Sequence, residues 1–285
     1  MLEYITLITA LGGSSLAAAW DLKTTEIPDW IPHAMIALAI IFYAAQSYMA
    51  WSYWPLLNSV AVGIALLGVG FVLYRTGQWG GGDAKILSAV GFLSPAFSSQ
   101  LSFMPFALSY LINVFLVGAA YMIIYALLIA AMNRMVVKKF FEGMKGSKNI
   151  FILSSAALFL SFIAIGFVVT RFSNMPLNYA MIFSNSIFAS AATACLFVVW
   201  KFAKTVEDVG FKKRIKVSQL KVGDVLQESK VWDGITEKEL KKVRSSGKKY
   251  VWIKEGVRFA PAFPLALLFT IYIGDGFLLF LNFFV

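Results

Sequence analysis

Five carboxylates stand at the ends of long apolar runs or inside them: Asp21, Glu26 and Asp29 after the first run, Asp83 at the start of the fourth and Asp275 within the last. A carboxylate at the edge of a bilayer is costly unless it is paired, hydrated or used. Asp83 belongs to Trp79-Gly80-Gly81-Gly82-Asp83-Ala84-Lys85, where successive glycines lack the Cβ atoms that hold another backbone or a substrate strand away. Peptide hydrolysis by carboxyl groups needs two of them sharing a proton, one to activate water and one to protonate or polarise the scissile carbonyl. Asp83 therefore needs a partner, and Asp21 is expected at the same depth on the same side. Either acid alone reads more readily as a helix flank; the glycine run and the matched depth turn the reading toward the pair. Asp275 falls toward the opposite end of its helix and is a poor partner.

Other chemistries lack their residues. Cys195 is the single cysteine and lies in an apolar run, so one chain offers no disulfide, zinc cluster or CxxC site, and the residue reads as packing. His33 is the single histidine, which removes Ser-His-Asp, Cys-His and multi-histidine metal sites.

The elements that must position the acids are membrane helices. Of 285 residues, 59% are apolar and 14% charged, and the mean hydropathy is +0.75; soluble domains are less apolar and more charged. Eight apolar runs approach the length that crosses a hydrocarbon core: Leu2 to Trp20, Ile31 to Met49, Pro55 to Tyr74, Ile86 to Ser98, Phe103 to Met132, Ile150 to Thr170, Ala180 to Trp200 and Phe259 to Phe284. The fourth is short and contains Pro95, which kinks or ends it. Leu2 to Trp20 has no basic flank before it and leads into the first acidic block, so it is expected to be a retained helix and not a removed signal.

Charge sets the orientation. With eight spans, 24 of the 25 Lys and Arg residues fall in the loops 21–30, 75–85, 133–149 and 201–258, with Arg171 alone opposite. The positive-inside rule makes that side the cytoplasm and places both termini outside. The same distribution explains the net charge of +10 without nucleic acid.

The expected fold is an all-α polytopic membrane protein of about eight transmembrane helices, with a small α+β cytoplasmic domain inserted before the last helix. Residues 1–132 form the membrane core with both aspartate blocks, 133–149 a basic cytoplasmic loop, 150–200 an additional transmembrane hairpin, 201–258 the cytoplasmic domain and 259–285 the final helix. Within 201–258, 16 basic residues face eight acidic ones. Arg214–Val217, Val225–Val231 and Lys249–Lys254 read as strands. Thr236–Ser246 reads as a helix opened by a Thr236/Glu239 capping box and stopped by Gly247.

Two blocks give the sequence a resemblance. Asp21-Leu22-Lys23-Thr24-Thr25-Glu26-Ile27-Pro28-Asp29-Trp30, with its Ile27-Pro28 step, and Gly80-Gly81-Gly82-Asp83-Ala84-Lys85 are similar to the paired motifs of the GxGD intramembrane aspartyl proteases, specifically archaeal preflagellin and prepilin peptidases. The resemblance implies that Asp21 and Asp83 are catalytic and that no metal or organic cofactor is needed. It implies pilin-like or archaellin-like preproteins as substrates, with a short basic leader cut from an apolar helix at the cytoplasmic face of the bilayer. Gly80, Gly82, Pro28, Lys85, Glu26 and Asp29 are the supporting candidates; Glu26 and Asp29 would attract the leader's Lys or Arg, and Lys85 would pair with a carboxylate or headgroup. Pro261-Ala262-Phe263-Pro264-Leu265-Ala266-Leu267 is similar to the proline-containing segment near the active site in the wider group, which includes presenilin. With one cysteine, the tetracysteine segment of bacterial relatives is missing, and cleavage without N-methylation is expected.

Three other readings stay open. An ion-coupled transporter also uses intramembrane acids and broken helices, although these acids gather at one interface and the halves show no repeat. A GxGD protease of another membrane substrate would differ in where it cuts. A noncatalytic scaffold would not require two aspartate blocks.

Overall fold

The computed structural model describes residues 2–97, 103–173, 178–229, 234–254 and 256–278. Among them, six helices are long and apolar enough to cross a membrane: α1 (Leu2–Thr24), α2 (Trp30–Met49), α3 (Trp54–Arg75), α5 (Phe106–Met132), α7 (Lys148–Phe172) and α8 (Tyr179–Gly210). The chain is a multi-pass helical membrane protein that also carries a small sheet. Two shorter apolar helices, α4 (Gly81–Leu93) and α10 (Ala262–Ile273), occupy the places of the fourth and last expected runs. Of those runs, Ser98 and residues 279–284 lie outside the described residues.

The residues divide into two compact units, one drawn from 1–124 and 212–285 and the other from 125–211. In the first, α4 lies inside the protein: Ala84 and every residue from Ile86 to Leu93 are buried. That burial permits a membrane helix of 13 residues, because its loose carbonyls find protein donors and not lipid. Tyr43 on α2 donates its hydroxyl to Leu93 O (2.8 Å) and Ser59 on α3 to Phe92 O (2.7 Å). Pro95, in a 3-10 turn over Ser94–Ala96, ends the helix. Helices α3 and α4 pack very closely, since a Cβ on Gly70 would stand 2.8 Å from Ala84 Cα. Association within lipid depends on such close approach.

At the far end of this unit α10 stops at Gly274, whose φ of +80° suits glycine. The break is held by side chains. Asn113 on α5 donates to Gly274 O (2.8 Å) and Thr270 Oγ1 (2.9 Å), while Asp275 accepts from the amides of Phe103 (2.6 Å) and Met104 (3.1 Å) and from the Ser109 hydroxyl. Asp275 is thus engaged by two backbone amides and a hydroxyl at this break.

The polar segment of the first unit forms a three-stranded antiparallel sheet in the order β1 (Lys212–Lys216), β3 (Tyr250–Lys254), β2 (Val225–Leu226), with Arg214 opposite Trp252 and Leu226 opposite Ile253. Val251 and Ile253 alternate inward to join Val217, Leu220 and Ile235, and helix α9 (Glu237–Ser245) covers them with Leu240 and Val243. The capping box is formed: Glu239 accepts from the Thr236 amide at 2.8 Å, and Gly247 adopts φ +70°. The strand expected to reach Val231 pairs only through Leu226, and Lys230 and Val231 lie outside the described residues.

In the second unit α7 and α8 form an antiparallel pair in which Ile182 packs against Gly166, where a Cβ would stand 2.8 Å from it. Residues 134–146, expected as loop, form the amphipathic helix α6 (Arg134–Gly146), capped by Asn133 and packed by its Phe140 on Phe202 of α8. Helix α8 continues to Gly210, through residues expected in the polar segment.

Candidate active site

Asp21 lies near the C-terminal end of α1 and is buried. Its Oδ2 accepts the amide of Ala260 at 3.0 Å, from the turn that leads into α10. Two residues earlier, Arg258 donates from Nε to Leu22 O (3.0 Å) while its own carbonyl accepts the Tyr121 hydroxyl (2.8 Å). The segment between β3 and α10 is therefore fastened to the end of α1 at the acid itself.

Asp83 occupies the first turn of α4, where its Oδ2 reaches back to the amide of Gly80 at 3.1 Å. This is the acidic half of a capping box. Trp79, just before the glycines, is buried against Phe115, Phe259 and Phe263 and pins the loop to α5 and α10.

The glycines bring the two blocks together. A Cβ on Gly82 would stand 2.9 Å from Ile27 Cβ, so the loop before Asp83 and the turn after Asp21 touch only because that atom is missing. Asp21 and Asp83 line one cavity of about 910 Å³, and the charge of Asp21 acts on Asp83. Gly80, Gly82 and Glu26 line it as well. The sheet domain supplies another wall through Gly223, Asp224 and Ile235.

The remaining candidates lie beside this cavity. Asp29 forms a 2.6 Å ion pair with Lys85, joining the start of α2 to that of α4, and both side chains are partly exposed. Pro28 offers its carbonyl to the Ile31 amide (3.1 Å) at the start of α2. Its place is in the turn. His33 Nδ1 lies 2.6 Å from Asp29 O, at the same turn. Of the proline-containing stretch, Pro264 is buried and Pro261 caps α10, one residue after the amide that holds Asp21.

Sequence reasoning missed Ala260, Arg258 and the sheet-domain wall. A backbone amide leaves no residue-type signal, and its partner is 239 positions away. The one available signal was Pro261, which fixes the turn presenting that amide. Among the described residues no group of three or more His, Cys, Asp or Glu side chains is placed to hold a metal ion.

A multi-pass helical membrane protein with two aspartates on one cavity is the class that this fold and site define. Residues 8–137, which contain both blocks, match the type IV leader peptidase family, and the kinship read from Asp21–Trp30 and Gly80–Lys85 is shown over that part of the chain. The chain is 24% identical over 186 residues to the prepilin peptidase EppA of Methanothermobacter thermautotrophicus, covering 60% of this chain and 48% of that one. It is 28% identical over 97 residues to a preflagellin peptidase of Methanocaldococcus jannaschii (34% and 41%), and 32% identical over 101 residues to one of Methanococcus maripaludis (35% and 42%). The chain thus spans less than half the length of each of these relatives.

Proposed function

We propose that this chain is an aspartic endopeptidase that removes the basic leader from archaellin-like or type IV pilin-like preproteins at the cytoplasmic face of the membrane. The observation that carries the reading is the convergence of Asp21 and Asp83 on one cavity, on blocks that lie within the family match. One carboxylate takes a proton from water, which attacks the scissile carbonyl; the other, protonated, donates to the carbonyl oxygen. As the C–N bond breaks, the proton gained from water goes to the leaving amine, the other carboxylate takes back a proton from a hydroxyl of the tetrahedral intermediate, and the dyad returns to its singly protonated state. Because one proton is shared, cleavage falls at low pH, where both groups are protonated, and at high pH, where both are charged.

In this reading Gly80 admits the substrate backbone, Gly82 lets the two aspartate blocks meet, Glu26 meets the cationic leader, and Asp29 with Lys85 fixes the turn between the blocks. Eight spans, with α4 and α10 as the short members, put the acids and the sheet domain in the cytoplasm and both termini outside. Residues 1–132 are the catalytic membrane core, 150–200 an added hairpin, 201–258 the aqueous domain and 259–285 the last span. The leader is cut without methylation of the new N-terminus.

The test is cleavage of a pilin-like precursor by purified protein in liposomes, with the new N-terminus mapped. Asp21→Asn and Asp83→Asn should each reduce cleavage below detection while leaving the thermal transition in place. Full activity in either variant would falsify the dyad, and a cut inside the apolar helix would move the assignment to another class of membrane substrate.

A further inference from the structure

A second cavity, of about 400 Å³, shares Gly81, Gly82 and, from the sheet domain, Gly234 with the first. The two meet across a strip of backbone that carries no Cβ. The walls of the second cavity are Leu67, Phe71 and Tyr74 of α3, with Ala84 and Lys85 of α4. Ile64, Leu67, Phe71 and Tyr74 recur at intervals of three or four residues and so share one face of α3. Ile64, Leu67 and Phe71 are 56%, 41% and 49% exposed. The adjoining face, with Ser59, Gly63, Leu66 and Gly70, is buried, and Gly63, Leu66 and Gly70 meet residues of α4. An apolar ridge thus runs beside the α3–α4 seam and ends in a hollow that shares its glycine wall with the aspartate cavity.

The proposed reaction makes a demand on the surface around the dyad. Its substrate passes from a basic leader to an apolar helix at the scissile bond, and a chain advances only about 3.3–3.6 Å per residue even when extended. With the bond at Asp21 and Asp83, the helix must begin a few residues away and continue into lipid. In lipid a helix gains little from hydrophobic transfer onto protein and is held by shape and close packing, which a concave end to the ridge supplies.

Resting on the peptidase reading, we propose that the ridge Ile64–Leu67–Phe71–Tyr74 docks the apolar helix of the preprotein, and that the leader crosses at Gly81 to reach the dyad. The glycine wall shared with the aspartate cavity selects this occupant. A lipid acyl chain would fill the ridge but has no chemistry to place across a glycine backbone.

The experiment places a photocrosslinking benzoylphenylalanine at Phe71, in an Asp83→Asn background that prevents turnover, and at Ile41 on α2, which is 60% exposed, as control. Position 71 should capture the preprotein through its apolar helix and position 41 should not. In the active enzyme, Leu67→Ala and Phe71→Ala should raise KM for the preprotein roughly fivefold with kcat held within about twofold, while Ile41→Ala changes neither. Capture of lipid alone at position 71, equal capture at 41, or a fall in kcat with KM unchanged overturns the docking surface. The crosslink is read without turnover, so it decides docking separately; a wild type that cuts no preprotein overturns the peptidase reading instead.

Discussion

Gly81 and Gly82 are neighbours with different obligations. A Cβ on Gly82 meets Ile27 Cβ at 2.9 Å, whereas one on Gly81 meets nothing nearer than 3.7 Å, on the Tyr74 ring. Gly82→Ala should separate the two aspartate blocks and lower kcat/KM by about tenfold or more, since misplacement of catalytic groups by about 1 Å carries penalties of that order. Gly81→Ala should leave the two blocks in place and act on KM for the precursor instead, and the comparison is read from initial rates on one precursor. The acids at 26 and 29 separate likewise: Asp29 is engaged by Lys85 while Glu26 faces the cavity. Glu26→Gln should therefore raise KM for a Lys-rich leader several-fold, and Asp29→Asn should act mainly on stability, by under about 1 kcal/mol, because its ion pair is partly exposed. The sequence made the pair legible as candidates, since Asp83 beside a glycine run at a helix end is an unusual pattern and Asp21 was expected at the same depth. It could not show which supporting acid was already paired, because Lys85 and Asp29 stand 56 residues apart.

At the scale of elements, α4 depends on donors supplied by its neighbours. Tyr43→Phe removes the hydroxyl that satisfies Leu93 O and leaves that carbonyl buried, at a cost of about 1–3 kcal/mol. Thermal unfolding in detergent should show the loss, with α4 packing and cleavage affected together. Helix α9 offers a milder case. Removing its cap by Thr236→Ala should cost about 1 kcal/mol. The Thr236 amide, followed by its hydroxyl, holds the Glu239 carboxyl below its ordinary value, so this contribution is present at neutral pH and fades as pH falls through the ordinary carboxylate range and below. The α9 cap was readable because it is local, with donor and acceptor three residues apart. Helix α6 was not, because Arg134–Gly146 is basic and short, and only its apolar face, with Val136 buried, marks it as a helix. The end of α8 was hidden for a related reason: its last turns leave the apolar run but continue in residues that are fair helix formers, so hydropathy stopped at Trp200 and the helix did not.

For the whole molecule, charge carries what packing does not. The residues around the dyad cavity come from stretches distant in the chain: the end of α1, the glycine loop, the sheet domain and the turn before α10. For these to meet in water, loops 21–30, 75–85 and 201–258 must share one side, and these loops together with 133–149 contain 24 of the 25 basic residues. Ser173, beyond α7 beside Arg171, and Ser246, at the end of α9, are both exposed and should therefore lie on opposite sides of the membrane. In a Cys195→Ser background, a membrane-impermeant maleimide should label Ser173→Cys in intact cells and Ser246→Cys only in inverted vesicles. Labelling of both from one side would break the alternation that the span count requires, and labelling with the sides exchanged would turn the aspartate cavity away from the cytoplasm. Either result would deny the acids access to a leader that is still cytoplasmic, because a positively charged segment resists crossing the bilayer. Labelling as expected would leave the two short helices α4 and α10 as the members that complete the topology, each tolerated because its ends are satisfied by protein.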